Sequence, residues 1–141
     1  MIEAIRAAAE LVPFTVHEYE FDPGRAPKPT DYPFVVLWAD PGLEFSGNTP
    51  GWDDSLADEV DAIELDIRAT YTGMSKESVG VLIRRTREAL NRTILVVPGW
   101  ACSRLKQSPV QGIQRDRDVQ VGHGNPYYAI DEYRLIATRE T

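Results

Sequence analysis

The chain has 141 residues, of which 43% are hydrophobic and 26% charged, and its formal net charge is -7 at pH 7. That length suits one domain with a proper core, read here as a single unit over residues 1–141. The acidic balance argues against a general nucleic-acid binder, which carries a basic footprint, and the single cysteine, Cys102, excludes an internal disulfide.

In chain order, Ile2 to Val12 reads as a short helix with Ile2, Ile5, Ala9 and Val12 on one stripe, and Pro13 ends it. Phe14 to Phe21 alternates and predicts a strand, followed by a proline-rich loop over Asp22 to Pro29. Pro33 to Trp38 is a continuous apolar run and predicts a strand covered on both faces. Asp40 to Asp58 is the longest irregular segment. It holds Pro41-Gly42, Gly47-Asn48 and Pro50-Gly51 as turn signals, with Phe45 and Trp52 as large apolar residues in a polar setting.

Val60 to Thr72 shows the cleanest pattern. Ile63, Leu65, Ile67, Ala69 and Tyr71 alternate with Glu64, Asp66, Arg68, Thr70 and Thr72, as in a strand with one wet face. Gly73 breaks it, Ser75 is an N-cap, and a helix runs to about Asn91. Val79, Leu82, Ile83, Thr86 and Leu90 point inward; Arg84, Arg85, Arg87 and Arg92 point outward or toward the C-terminal end. Short strands are expected at Thr93 to Val97 and Ser103 to Ser108, paired as a hairpin. Gln111 to Gln120 is ambiguous, Gly122 to Pro126 is a turn, and Tyr127 to Thr138 is a final long strand. The expected fold is α+β: a mostly antiparallel β-sheet with two α-helices packed on one face, plus long loops.

Charge is segregated along the chain. Pro29 to Ile67 carries ten carboxylates and no Lys or Arg; Arg68 to Arg117 carries ten cations against three carboxylates. Such asymmetry points to electrostatic complementarity between copies or with a partner. Sequence adjacency is not surface adjacency, so the two segments can equally interleave within one fold and neutralise each other.

No constellation carries chemistry. His17 and His123 have no second ligand at metal spacing, and Cys102 has no activating neighbour in sequence. Neither a Gly-Lys-Ser phosphate loop nor Gly-x-Gly-x-x-Gly occurs. No catalytic residue, metal or cofactor is expected. The acidic run from Asp53 through Asp66 leaves one rival, a small cation-binding α+β enzyme or ligand-binding domain, but it lacks a calcium-loop pattern. No apolar run approaches the roughly 18 residues that span a bilayer. The start, Met1-Ile2-Glu3-Ala4-Ile5, lacks a basic n-region, so a soluble protein made in the cytoplasm is expected, without a membrane partner.

One set of features in order carries a resemblance. It comprises the first helix and strand, Tyr32-Pro33-Phe34-Val35-Val36-Leu37, the long Pro/Gly loop, and the Ile63 to Thr72 strand. It continues through Arg84-Arg85-Thr86-Arg87-Glu88-Ala89-Leu90, Val97-Pro98-Gly99-Trp100, Gln114-Arg115-Asp116-Arg117-Asp118-Val119 and Tyr127 to Leu135. In these the chain resembles, over nearly its whole length, the tail terminator proteins of long-tailed (siphovirus-type) bacteriophages, particularly the type in phages and prophages of actinobacteria.

The resemblance implies a virion protein without enzymatic activity. It would form a homohexameric ring that caps the head-proximal end of the tail tube and stops tube growth. It would also join the tail to the stopper, or head-completion, protein. Its partners would be itself, the major tail tube protein and the stopper, with genomic DNA passing through the lumen without sequence-specific binding. The nearest rival is another neck component, a stopper or head-tail connector. The candidate subunit or partner interface comprises Phe45, Trp52, Asp53, Asp54, Asp58, Glu64, Asp66, Arg84, Arg85, Arg87, Arg115 and Arg117. Two loops, Asp40 to Asp58 and Gln107 to Asn125, are the expected contacts to neighbouring rings.

Overall fold

The computed structural model describes residues 2–21, 23–39, 62–122 and 124–140. The element order is α1 (Ile2–Leu11), β1 (Val16–Glu18), a 3-10 turn (Pro29–Asp31), β2 (Phe34–Ala39), β3 (Ala62–Gly73), α2 (Lys76–Leu90), β4 (Trp100–Cys102), β5 (Lys106–Arg115) and β6 (Tyr127–Arg139). All six strands form one sheet in the order β1-β2-β3-β6-β4, and β5 lies along the same edge of β6 as β4. Among the described residues only β1 and β2 run parallel; the other pairs are antiparallel. The chain is an α+β fold.

The centre of the sheet is β3 against β6, in register from Ala62 opposite Thr138 to Gly73 opposite Tyr127. Period two sends Ile63, Leu65, Ile67, Ala69 and Tyr71 to one face, and Ala129, Asp131, Tyr133, Leu135 and Ala137 of β6 join them there. Both helices cover this face. Val79, Leu82 and Leu90 of α2 and Ala4, Ile5 and Ala8 of α1 belong to the same buried cluster. Each fully buried Leu or Ile side chain adds roughly 1.5–3 kcal/mol relative to exposure.

The α2 start follows the sequence signal. Ser75 Oγ accepts the Ser78 amide at 3.1 Å, and Ser78 Oγ bonds back to the Ser75 carbonyl at 3.0 Å. Gly73 makes room for this cap: a methyl group on it would overlap Ser78 Oγ.

Several expectations are corrected. On α1 the buried stripe is Ala4, Ile5 and Ala8 with Val12, while Ile2 is exposed, because small alanines let the helix sit close to the sheet. The first strand is three residues rather than Phe14 to Phe21, since Tyr19 turns the chain with φ 70°. β2 is not covered equally on both faces: Val35, Leu37 and Ala39 are buried, Val36 and Trp38 half-buried. Thr93 to Val97 contributes only isolated bridges, Ile94 to Arg104 and Val97 to Trp100, not a strand. The Ser103 to Ser108 strand starts at Lys106, runs on to Arg115 and pairs with β6, which resolves the ambiguous Gln111 region into strand.

Between β4 and β5, Ser103 bridges the interruption. Its amide donates to the Ile136 carbonyl at 2.8 Å, and its Oγ accepts the Ile136 amide at 2.9 Å.

Candidate functional site

The candidate interface residues fall into three groups. Phe45, Trp52, Asp53, Asp54 and Asp58, like the Asp40 to Asp58 segment that holds them, lie outside the described residues. Glu64 and Asp66 stand on the sheet face opposite the helices, the wet face the alternation predicts. The arginines lie on α2 and at the end of β5.

On the open sheet face, charge is neutralised within the chain. Asp66 lies opposite Arg134 and accepts its Nε–H at 3.2 Å; Arg68 lies opposite Glu132 at 3.5 Å. Arg68 also stacks over Trp38, 5.3 Å from the ring centroid, while Trp38 Nε1 donates to Thr70 Oγ1 at 3.2 Å. Among the described residues no ion pair joins the acidic segment to the basic one; β6 neutralises part of each. Its Glu132 takes a cation from the basic segment and its Arg134 takes an acid from the acidic one. Pairs this exposed contribute between nothing and about 1 kcal/mol each.

Arg87 is corrected from outward to inward. Its Nε and Nη2 donate to the two carboxylate oxygens of Asp131, each at 2.8 Å. Asp131 is 2% exposed on the apolar face. Tyr71 Oη donates to the same carboxylate at 2.7 Å, Gln107 Nε2 donates at 3.3 Å, and the Tyr71 and Tyr133 hydroxyls are 3.0 Å apart. Burial raises both phenols, Tyr133 to about 12, so both are neutral donors at physiological pH. The Asp131 carboxylate raises the Arg87 guanidinium further. This cluster ties α2, β3, β5 and β6 together. Its hydrogen bonds converge on one buried carboxylate, as in a structural lock.

Sequence reasoning missed Asp131, Tyr71, Tyr133 and Gln107 as one network. The signal was present: period two places Asp131 on the face of Ala129, Tyr133 and Leu135, and an acid there demands a cation.

Arg84 and Arg85 remain exposed on α2. Arg115 packs on Tyr127, 5.4 Å from its centroid, and donates to its hydroxyl at 2.8 Å; Lys76 lies 6.0 Å over the same ring. Arg117 is exposed in an open groove of about 390 Å³ shared with Gln114, Arg115, Asp116, Asp118 and Tyr128. Gln114 hydrogen-bonds Tyr128 there. Arg84 and Arg85 thus stand on the exposed face of α2, and Arg115 and Arg117 at the end of β5 and just beyond it.

β5 pairs with β6 along one edge only and carries two register shifts, at Pro109/Gln111 and Gln111/Gln114. Val110 and Ile113 are exposed on it, at 45% and 39%.

Metal and nucleophile readings gain no support from geometry. Among the described residues no three His, Cys, Asp or Glu side chains gather as a cation site requires. Burial, with the Glu140 carboxylate, raises the Cys102 thiol, the opposite of activation. No helix among the described residues is long and apolar enough to cross a membrane. The chain matches no protein-family model and no curated protein.

Proposed function

We propose that this chain is a tail terminator: a structural virion protein that forms a six-membered ring at the head-proximal tip of a phage tail tube. The ring stops tube growth and joins the tail to the stopper protein, and DNA passes through its lumen. The chain does so by oligomerisation and docking, without catalysis, cofactor or metal.

One observation carries the reading beyond the resemblance in sequence. β5 is ten residues long, paired on one side, and exposes Val110 and Ile113. Such an edge is a liability on a monomer and a natural seat for a neighbour. Arg117 follows it in sequence and, like Arg84 and Arg85 on α2, is exposed, while the chain as a whole is acidic. A closed ring needs two unlike surfaces that meet heterologously, and a basic flank on an acidic protein supplies one of them. Of the acidic stretch from Asp53 to Asp66, the part before β3 is the sequence segment best suited to face Arg84 and Arg85, since Asp66 already holds Arg134. Arg87 is not part of that contact, because Asp131 holds it.

Electron microscopy of particles from a lysate with this gene disrupted tests the reading. The expected result is headless tails of uncontrolled, excessive length. Tails of normal length beside heads that leak or stay unjoined would move the protein to the stopper or connector. Intact virions would overturn the structural reading.

A further inference from the structure

An edge strand presents a row of unpaired N–H and C=O groups, and a long apolar edge is a template for pairing with another copy. At one edge of the sheet, β1 is three residues long and Tyr19 turns the chain away with φ 70°. At the other, Thr93 to Val97 runs beside β4, bridged at Ile94 and Val97. β5 continues that edge for ten residues, with Val110 and Ile113 exposed. Among the described residues it is the one long edge.

Alternate N–H groups of a paired strand point to opposite sides, so every second donor here faces away from β6. Their partners can be followed residue by residue. Just before β5, the Leu105 amide donates to the Thr93 carbonyl at 2.9 Å. The Gln107 amide donates to Oδ1 of Asn91, the C-cap residue of α2, at 3.3 Å. The next residue in that series is Pro109, which has no N–H. Beyond it the series is broken. Pairing with β6 shifts register between Pro109 and Gln111 and again between Gln111 and Gln114. Such bulges bend a strand and increase its twist. Leu105, Gln107 and Pro109 thus offer no donor to an incoming strand. Val110 and Ile113 lie within the two shifts rather than in a straight apolar row.

We infer that β5 is an edge closed to strand addition: Asn91, Pro109 and the two bulges keep copies of this chain from joining sheet to sheet. Without them, Val110 and Ile113 would lie on a straight edge able to pair with any extended apolar chain. In the ring proposed above, a neighbour then meets β5 through side chains and does not lengthen the ladder. That consequence rests on the ring reading; the closure itself does not.

Pro109→Thr restores an N–H with a residue suited to strands, and Asn91→Ala frees the Gln107 donor. Sheet-to-sheet pairing is read by hydrogen exchange of the backbone amides at positions 107 and 109 as protein concentration rises, alongside sedimentation velocity. The inference expects the double variant to gain about tenfold protection at both amides and to sediment faster, with no such gain at Gln107 in the parent. A double variant that exchanges and sediments as the parent does overturns it. Circular dichroism verifies the fold. If Asn91→Ala frays the end of α2, Pro109→Thr alone decides by the same two readouts. Neither readout depends on virion content or tail length, so failure here leaves the ring reading standing, and failure of the ring leaves this inference standing.

Discussion

Asp131 sits at 2% exposure among Ala129, Tyr133 and Leu135, and Arg87 meets it with a two-pronged hydrogen bond at 2.8 Å. Removing the cation while keeping its stem, as in Arg87→Met, leaves a buried carboxylate with neutral donors alone. The cost expected in a urea melt is about 2–3 kcal/mol, below the fully buried range because Arg87 is 40% exposed. Thr86 behaves oppositely. Its Oγ1 is buried without a hydrogen-bond partner, so Thr86→Val is expected to stabilise by about 1 kcal/mol. The two buried phenols set the alkaline limit. Their folded state holds the proton more tightly than the unfolded chain, whose tyrosines titrate near 10. Their contribution is therefore complete below about pH 10 and lost as pH rises through about 12, the value of Tyr133. In a tyrosinate absorbance titration these two ionise last, together with loss of near-UV circular dichroism. Ionisation of both near pH 10 in a folded protein would contradict the buried network. At this scale the sequence showed less than it contained. Inward positions such as Ile67, Tyr71 and Leu82 follow from period alone. The bond between Arg87 and Asp131 joins residues 44 apart, and only the packing of α2 on β6 brings them together.

The elements differ in how far local signals define them. α2 is legible throughout: Ser75 caps it, and its apolar stripe ends at Leu90. Ser75→Ala is expected to cost about 1 kcal/mol in thermal or chemical unfolding. Gly73→Ala is expected to cost about 1–3 kcal/mol, because the added methyl displaces Ser78 from the same cap. β3 and β6 are legible for the same reason, since twelve and thirteen residues of alternation leave one register that buries Ile63, Leu65, Ile67, Tyr71, Tyr133 and Leu135 together. β5 is not legible. Its residues are exposed almost throughout and two bulges break its period, so neither burial nor alternation marks it. Its partner is also remote: the sequence suggests a hairpin with Thr93 to Val97, whereas the free edge of β6 accepts it. The α1 stripe was misplaced because alanines at positions 4, 7, 8 and 9 give a helix little apolar contrast.

For the whole molecule, the linear segregation of charge becomes two things at once. Part of it is cancelled inside the fold, where β6 supplies Asp131 and Glu132 to the basic segment and Arg134 to the acidic one. The rest survives on the basic side as exposed cations, Arg84 and Arg85 on α2, Lys106 on β5 and Arg117 just beyond it. Assembly through such surfaces weakens as ionic strength rises from 0.05 to about 0.5 M, over which the screening length falls well below 10 Å. Sedimentation of assembled rings across that range measures it. Arg84→Glu with Arg85→Glu is expected to reduce assembly without loss of folded structure, since both side chains are exposed, whereas any variant that includes Arg87 also breaks the core. The most direct test of the central claim is cryo-electron microscopy of the head-tail junction in virions that carry this gene. The account predicts one six-fold ring of this α+β chain between the last tube ring and the stopper. A junction filled by another chain, or this chain in a ring of different symmetry on the head side, would contradict it.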